Sequence, residues 1–217
     1  MQEFHKYPDY NNYLIYIFTK LENTPANENI RTSAGLLVKN NIKQYYHQLD
    51  DGVRAYIKRE VLVCLGDASE TVRSTAGGIV SEIVRQAGLD QWPGLLESLV
   101  GALTSSQTEP RLIEGILSAL SKVCEDSAYH MCMSEQQGGP EKYEAALNVL
   151  IPLFIQFLVH EVPSFRRYAL ISINQFITPM PRAFGNHFPE FLTVSSLVDL
   201  SLFDWTDPVI ASLCVSL

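Results

Sequence analysis

The chain has 217 residues, 47% of them apolar and 18% charged, with 16 Lys and Arg against 24 Asp and Glu for a formal net charge of −8. That balance argues against general nucleic-acid binding, which needs a cationic face for phosphates, and fits a partner that presents basic patches. No apolar run approaches the roughly 20 residues of a membrane helix, and Met1 to Pro8 lacks the basic start and apolar stretch of a secretory signal. No membrane association and a reducing cytosolic or nuclear setting are expected.

In chain order, Asp9 is a candidate N-cap for a helix over 9–22 with Tyr13, Ile17 and Leu21 at four-residue spacing. A partner helix over 28–45 carries an apolar stripe of Ile30, Ala34, Leu37, Val38 and Ile42, with Lys39, Asn40 and Lys43 on another face. The next pair is 51–65, with Val53, Ile57, Val61 and Cys64 inward, and 70–87, with Val72, Ala76, Ile79, Val80 and Ile83 inward. Asp67 and Ser69 supply the turn and a cap between them. A third pair covers 90–103, with Trp92, Leu95, Leu96 and Leu99, and 109–125, with Leu112, Ile116, Ala119, Leu120 and Val123.

Residues 127–140 are polar and end in Gly138-Gly139-Pro140, which predicts a loop. A long helix over 141–159 follows, then a partner over 164–177 with Ser164 as cap and Phe165, Ala169, Ile173 and Phe176 inward. Pro179 and Pro181 punctuate the chain, and a last pair opens near Phe188 and turns at Trp205-Thr206-Asp207-Pro208.

These pairs are copies of one unit. Ile30-Arg31-x-x-Ala34-Gly35 recurs as Val72-Arg73-x-x-Ala76-Gly77, with looser copies at Arg111-Leu112, Phe165-Arg166 and Val209-Ile210, at intervals of 42, 40, 53 and 44 residues. Helix pairs repeating every 40 to 47 residues are the HEAT or armadillo pattern. The expected fold is an all-α HEAT-repeat α-solenoid, a superhelix of antiparallel helix pairs. It is one segment over 1–217, with 1–7 the tail of a preceding repeat, helix pairs at 9–45, 51–87, 90–126 and 141–177, and an incomplete last repeat at 186–217. The chain therefore reads as a piece of a longer solenoid, whose open ends are expected to self-associate.

Three blocks then carry a resemblance: Tyr7-Pro8-Asp9-Tyr10-Asn11-Asn12-Tyr13-Leu14, Ala34-Gly35-Leu36-Leu37-Val38-Lys39-Asn40-Asn41-Ile42-Lys43 and Trp92-Pro93-x-Leu95-Leu96. With Val123-Cys124-Glu125-Asp126-Ser127-Ala128, Ile151-Pro152-x-x-x-Gln156-Phe157 and Asn174-Gln175-Phe176-Ile177, the chain resembles the amino-terminal HEAT repeats of the importin-beta superfamily of nuclear transport receptors. Two departures stand out: residues 129–141 are longer and less acidic than their counterpart, and Ile210 stands where an Arg is expected. The resemblance implies an import receptor of cytoplasm, nucleus and nuclear pore. Its first repeats bind the small GTPase Ran in the GTP form, its outer grooves take Phe-Gly nucleoporins, and its cargo-binding repeats lie outside this chain. The alternative is a generic HEAT scaffold without nucleotide-state dependence.

In such a solenoid the second helices line the concave side. The expected partner-binding stripe is Lys39, Asn40 and Lys43, then Ser81, Glu82 and Arg85, then Ser118, Lys122 and Glu125; the competing reading is a merely solvated face. Asn40 and Asn41 are poor helix formers, which suggests a local use for their amides. Arg31, Arg73 and Arg166 are expected to bond turn carbonyls or acidic residues of adjacent repeats, and Gly35, Gly77, Gly78 and Gly115 to mark close helix approach.

Catalysis is not expected. There is no phosphate-binding Gly-x-x-x-x-Gly-Lys-Ser/Thr and no Gly-x-Ser-x-Gly, and the five histidines are scattered without metal-ligand spacing. Cys64, Cys124, Cys132 and Cys214 match neither a disulfide framework nor a metal pair, and read mostly as buried small hydrophobes. No cofactor is expected.

Overall fold

The computed structural model of the chain describes residues 9–105, 107–136, 141–177 and 185–197. All regular secondary structure among them is helical, and the fold is the all-α HEAT-repeat solenoid that the period predicts. The helices are α1 (Tyr10–Lys20), α2 (Pro25–Tyr45), α3 (Asp51–Val63), α4 (Glu70–Ala87), α5 (Leu95–Thr104), α6 (Pro110–Gln136), α7 (Glu141–Phe157), α8 (Pro163–Ile177) and α9 (Phe188–Leu197). Two compact units divide the chain, residues 1–123 and 124–217. The segment 1–7, residues 137–140, Pro179, Pro181, the turn at 205–208 and Cys214 lie outside the described residues.

In the first unit α1 packs on α2 and α3, α2 on α4, and α3 on α4, so α1 and α3 form one layer and α2 and α4 the other. α1 buries Asn11, Leu14, Ile15 and Phe18. The expected Tyr13 stripe is wrong: Tyr13 is 68% exposed. Turning Leu, Ile and Phe inward buries more carbon without stranding a tyrosine hydroxyl. The Asp9 carboxylate takes the Asn12 side-chain amide at 3.3 Å instead of capping a backbone N–H.

α2 begins at Pro25, earlier than the apolar stripe suggests, because Thr24 caps it by accepting from the Asn27 N–H at 3.3 Å. Its buried residues are Arg31, Ala34, Gly35, Val38 and Ile42, whereas Ile30 is 53% exposed. The inward sets of α3 and α4 are as expected: Val53, Ile57, Val61, Cys64, Val72, Ala76, Ile79, Val80 and Ile83 are all buried. Ser69 caps α4 by accepting from the Val72 N–H at 3.3 Å. α5 starts at Leu95 rather than 90, since Pro93 restricts Trp92 (φ −132°, ψ 67°) and Gly94 is left-handed at φ +79°.

Two glycines set how closely the helices meet. A Cβ on Gly115 of α6 would lie 1.9 Å from the Leu65 carbonyl oxygen, and one on Gly35 of α2 would lie 2.7 Å from both the Phe18 ring and the Thr75 methyl.

α6 continues to Gln136, through most of the stretch expected to be a loop. Residues 127–136 contain neither Gly nor Pro, and the first breaker is Gly138, so polar composition alone does not end the helix. In the second unit α7 packs on α8 and on α9. Leu147, Leu150, Ile151, Phe154, Phe165, Ala169 and Ile173 fill the interior. Pro152 lies inside α7, and Phe157, His160 and Phe165 stack at the α7–α8 turn.

Candidate partner-binding face

The second helix of each pair carries the residues that could meet a partner. On α2, Leu36, Asn40 and Lys43 stand at i, i+4 and i+7 and are all exposed, which places them on one outward face. Lys39 leans toward α4, where a Cβ on Gly78 would lie 3.6 Å from its Cδ and 3.4 Å from its Nζ. Neither the Lys39 nor the Lys43 ammonium has an acidic partner among the described residues.

The α4 residues are differently placed. Ser81 is fully buried and donates to the Lys122 carbonyl at 3.1 Å. Glu82 is also buried; it is ion-paired to Arg85 and accepts from the Gln86 side-chain amide at 2.8 Å. Gln86 Nε2 also reaches the Lys43 carbonyl at 3.2 Å, tying α4 to α2. On α6, Ser118 is buried, while the Lys122 ammonium donates to the Ser74 carbonyl at 2.9 Å, to Ser74 Oγ at 3.0 Å and to Ser118 Oγ at 3.3 Å. Lys122 is a strap across the α4–α6 contact. Glu125 is exposed. The structure thus leaves Lys39, Asn40, Lys43, Arg85, Lys122 and Glu125 at least partly exposed, and places Ser81, Glu82 and Ser118 in the interior.

The expected arginine ladder is present. Arg31 Nε donates to the Phe18 carbonyl at 3.1 Å and its Nη atoms fork onto Asp67. Arg73 donates to the carbonyls of Asp67 and Ala68 at 2.9 and 3.1 Å and to Glu114 at 2.9 Å. Arg166 donates to the carbonyls of His160 and Glu161 at 2.7 and 2.9 Å. Each fixes a turn, and the first two also join consecutive pairs. Asn41 gives its amide to Asn11 Oδ1 at 3.0 Å, between α2 and α1, while Asn40 faces outward.

On the opposite layer, Asn12, Tyr13, Tyr16, Gly52 and Tyr56 line an open groove of about 460 Å³ between α1 and α3. Trp92 is buried with the Lys58 ammonium 5.6 Å from its ring centre, and Lys58 also donates to the Gln91 carbonyl at 2.7 Å. Cys64 and Cys124 are buried thiols, and burial pushes the Cys64 thiol up to about 12. Among the described residues no group of three or more His, Cys, Asp or Glu could hold a metal, and no helix is long and apolar enough to cross a membrane.

Residues 1–67 match the family model of the importin-beta N-terminal domain. The chain is 35% identical to mouse Transportin-1 over 192 residues, 88% of this chain and 20% of that protein. It is 42% identical to Dictyostelium discoideum Transportin over 192 residues, 88% of this chain and 19% of that protein. With Importin subunit beta-2 of Schizosaccharomyces pombe the identity is 33% over 187 residues, 85% of this chain and 20% of the relative. The chain belongs to the importin-beta family.

Its relatives are the transportins of that family, and the chain spans about a fifth of the length of the curated relatives it matches. The stretch that matches the importin-beta N-terminal domain contains α1, α2 and α3, hence the whole exposed α2 face. Leu36 on that face is missed when α2 is sorted by hydrophobicity and contacts are sought only among polar residues. A leucine outside the predicted apolar stripe of Ile30, Ala34, Leu37, Val38 and Ile42 is the signal that could have found it.

Proposed function

We propose that this chain is the Ran-binding segment of a transportin-like nuclear import receptor, acting by state-selective protein binding and not by catalysis. The observation that carries the reading is the α2 face, where Leu36, Asn40 and Lys43 are exposed beside Lys39 within the stretch that matches the importin-beta N-terminal domain. Two lysines without acidic partners in a chain of net charge −8 give a local cationic surface suited to an acidic patch on a partner.

The mechanism is differential affinity. Ran in its GTP form presents a surface that fits this face on the concave side, and Ran in its GDP form does not, so nucleotide state sets occupancy. Arg85 extends the contact on α4, beside the Lys122 strap that holds α6 to α4. Cargo binding belongs to repeats beyond the fifth of the relatives' length that this chain spans. The tyrosine-lined groove between α1 and α3 is the proposed seat of Phe-Gly nucleoporin segments, and the receptor would move between cytoplasm and nucleus through the pore.

Calorimetry of the purified chain against Ran loaded with GTP and, in parallel, with GDP at fixed salt tests the reading. Binding of the GTP form alone is the expected result. Equal binding of both forms, or of neither while the helical circular dichroism is intact, would replace it with a HEAT scaffold without nucleotide dependence.

A further inference from the structure

Within the proposed GTPase contact, we infer that Leu36 is the apolar anchor on which the partner packs, and that Lys39 and Lys43 steer the approach rather than hold the complex; this rests on the reading above. Binding energy at protein interfaces concentrates in a few side chains that become fully desolvated within a polar ring. Leu36 has the geometry for such an anchor. It is 49% exposed on a face whose other outward residues, Asn40 and Lys43 at i+4 and i+7, are polar.

The neighbouring helix offers no competitor. On α4, Gly78 is buried beneath the Lys39 stem and Ser74 is strapped by Lys122, while Ser81 and Glu82 are buried and bonded internally. A partner that covers this part of the face therefore gains apolar burial at Leu36. Ile30 is as exposed on the same helix, but it lies six residues away and so about 120° around the axis, off the face that Leu36, Asn40 and Lys43 share.

The chemistry of the complementary element follows. It brings an apolar side chain onto Leu36 and carboxylates to the two lysines. Charges at the rim act at long range and mainly set the association rate and its salt dependence, whereas the buried apolar contact sets the dissociation rate.

The test is surface-plasmon kinetics of the full chain against GTP-loaded Ran at two salt concentrations, with Leu36→Ala, Ile30→Ala and Lys43→Ala measured beside the wild type. Leu36→Ala is expected to weaken binding about thirty-fold, mostly by faster dissociation, with an unchanged melting temperature. Ile30→Ala should stay within about two-fold, and Lys43→Ala should slow association and flatten the salt dependence. Wild-type binding with Leu36→Ala within two-fold of it would overturn the anchor and leave the GTPase reading standing. Absence of wild-type binding would overturn both.

Discussion

Arg31 and Asp67 form a fork that joins the first helix pair to the turn of the second: the two Nη atoms meet the two carboxylate oxygens at 3.3 and 2.5 Å. Arg31 is only 2% exposed, and its Nε is taken by the Phe18 carbonyl. A charge this deep is tolerable only while its partners remain. Asp67→Ala strands the guanidinium and is expected to cost about 3–5 kcal/mol, read as a shift of the urea midpoint. Arg31→Met is expected to cost less, about 1–3 kcal/mol, because Asp67 lies nearer the surface and keeps the Ser69 N–H at 2.9 Å. Equal losses would mean that the pair is not desolvated in the way its burial indicates.

Two helical glycines differ in what surrounds them. Gly115→Ala drives a methyl into the Leu65 carbonyl oxygen, which belongs to backbone and cannot swing away, so α6 must shift off the Cys64–Gly66 turn. The expected loss is about 1–3 kcal/mol. Gly101 in α5 meets nothing within 4 Å, and Gly101→Ala is expected to stabilise by about 0.5–1 kcal/mol through helix propensity alone. Thermal melts of the two variants, moving in opposite directions, check the helix contact.

Much of this fold is legible in the amino-acid sequence because its repeat is written in residue types that recur. Val72, Ala76, Ile79, Val80 and Ile83 satisfy a helical period, and Ser69 is a cap by chemistry, so α4 is found to the residue. α1 misleads because tyrosine counts as apolar in a periodicity search, yet Tyr13 keeps most of its surface in water. The site is harder for a related reason. Ser81 and Glu82 sit at polar positions of a helix whose neighbours close over them on both sides, and burial by a third helix leaves no mark on local spacing. Leu36 is the converse case, an apolar residue left half-exposed on the outward face.

The Cys64 thiol is raised to about 12 from 9.0, first by burial and then by the Asp67 carboxylate. The native state holds this proton where the unfolded chain has shed it, so the contribution to unfolding is absent below pH 9 and grows against the native state as pH rises toward 12. Stability should therefore fall across that alkaline interval. Native protein at pH 8 should leave Cys64 unlabelled by iodoacetamide while urea-unfolded protein is labelled there, as peptide mapping would show; rapid native labelling would contradict the burial.

The acid limb has the opposite sign. Glu60 is held below the usual carboxylate value, chiefly by the Lys20 ammonium ion-paired to it at 2.7 Å, and also by Arg59 at 3.0 Å. Its contribution is present above the unfolded value of 4.5 and disappears as pH falls through the lower folded value. Glu60→Gln should lower stability at pH 7 and make the melting temperature less steep as pH falls below the unfolded value of 4.5. An unchanged acid slope would show that Lys20 and Glu60 are not paired in solution.

Lys43 and Lys122 look interchangeable in the sequence, each a lysine on the outward part of a second helix, but the structure gives them different work. Lys122 is spent on Ser74 and Ser118, so Lys122→Met keeps the alkyl stem and loses the strap. It is expected to cost about 1.5–3 kcal/mol of stability, the range for hydrogen bonds to a charged group, and to change affinity for GTP-loaded Ran by no more than about three-fold. Lys43 has no acidic partner among the described residues, so Lys43→Glu should leave the melting temperature within a degree or two and weaken association by about ten-fold at low salt. Melting temperature and affinity measured together on the two variants place them on different axes. A loss of affinity without loss of stability in Lys122→Met would move Lys122 from the fold to the interface.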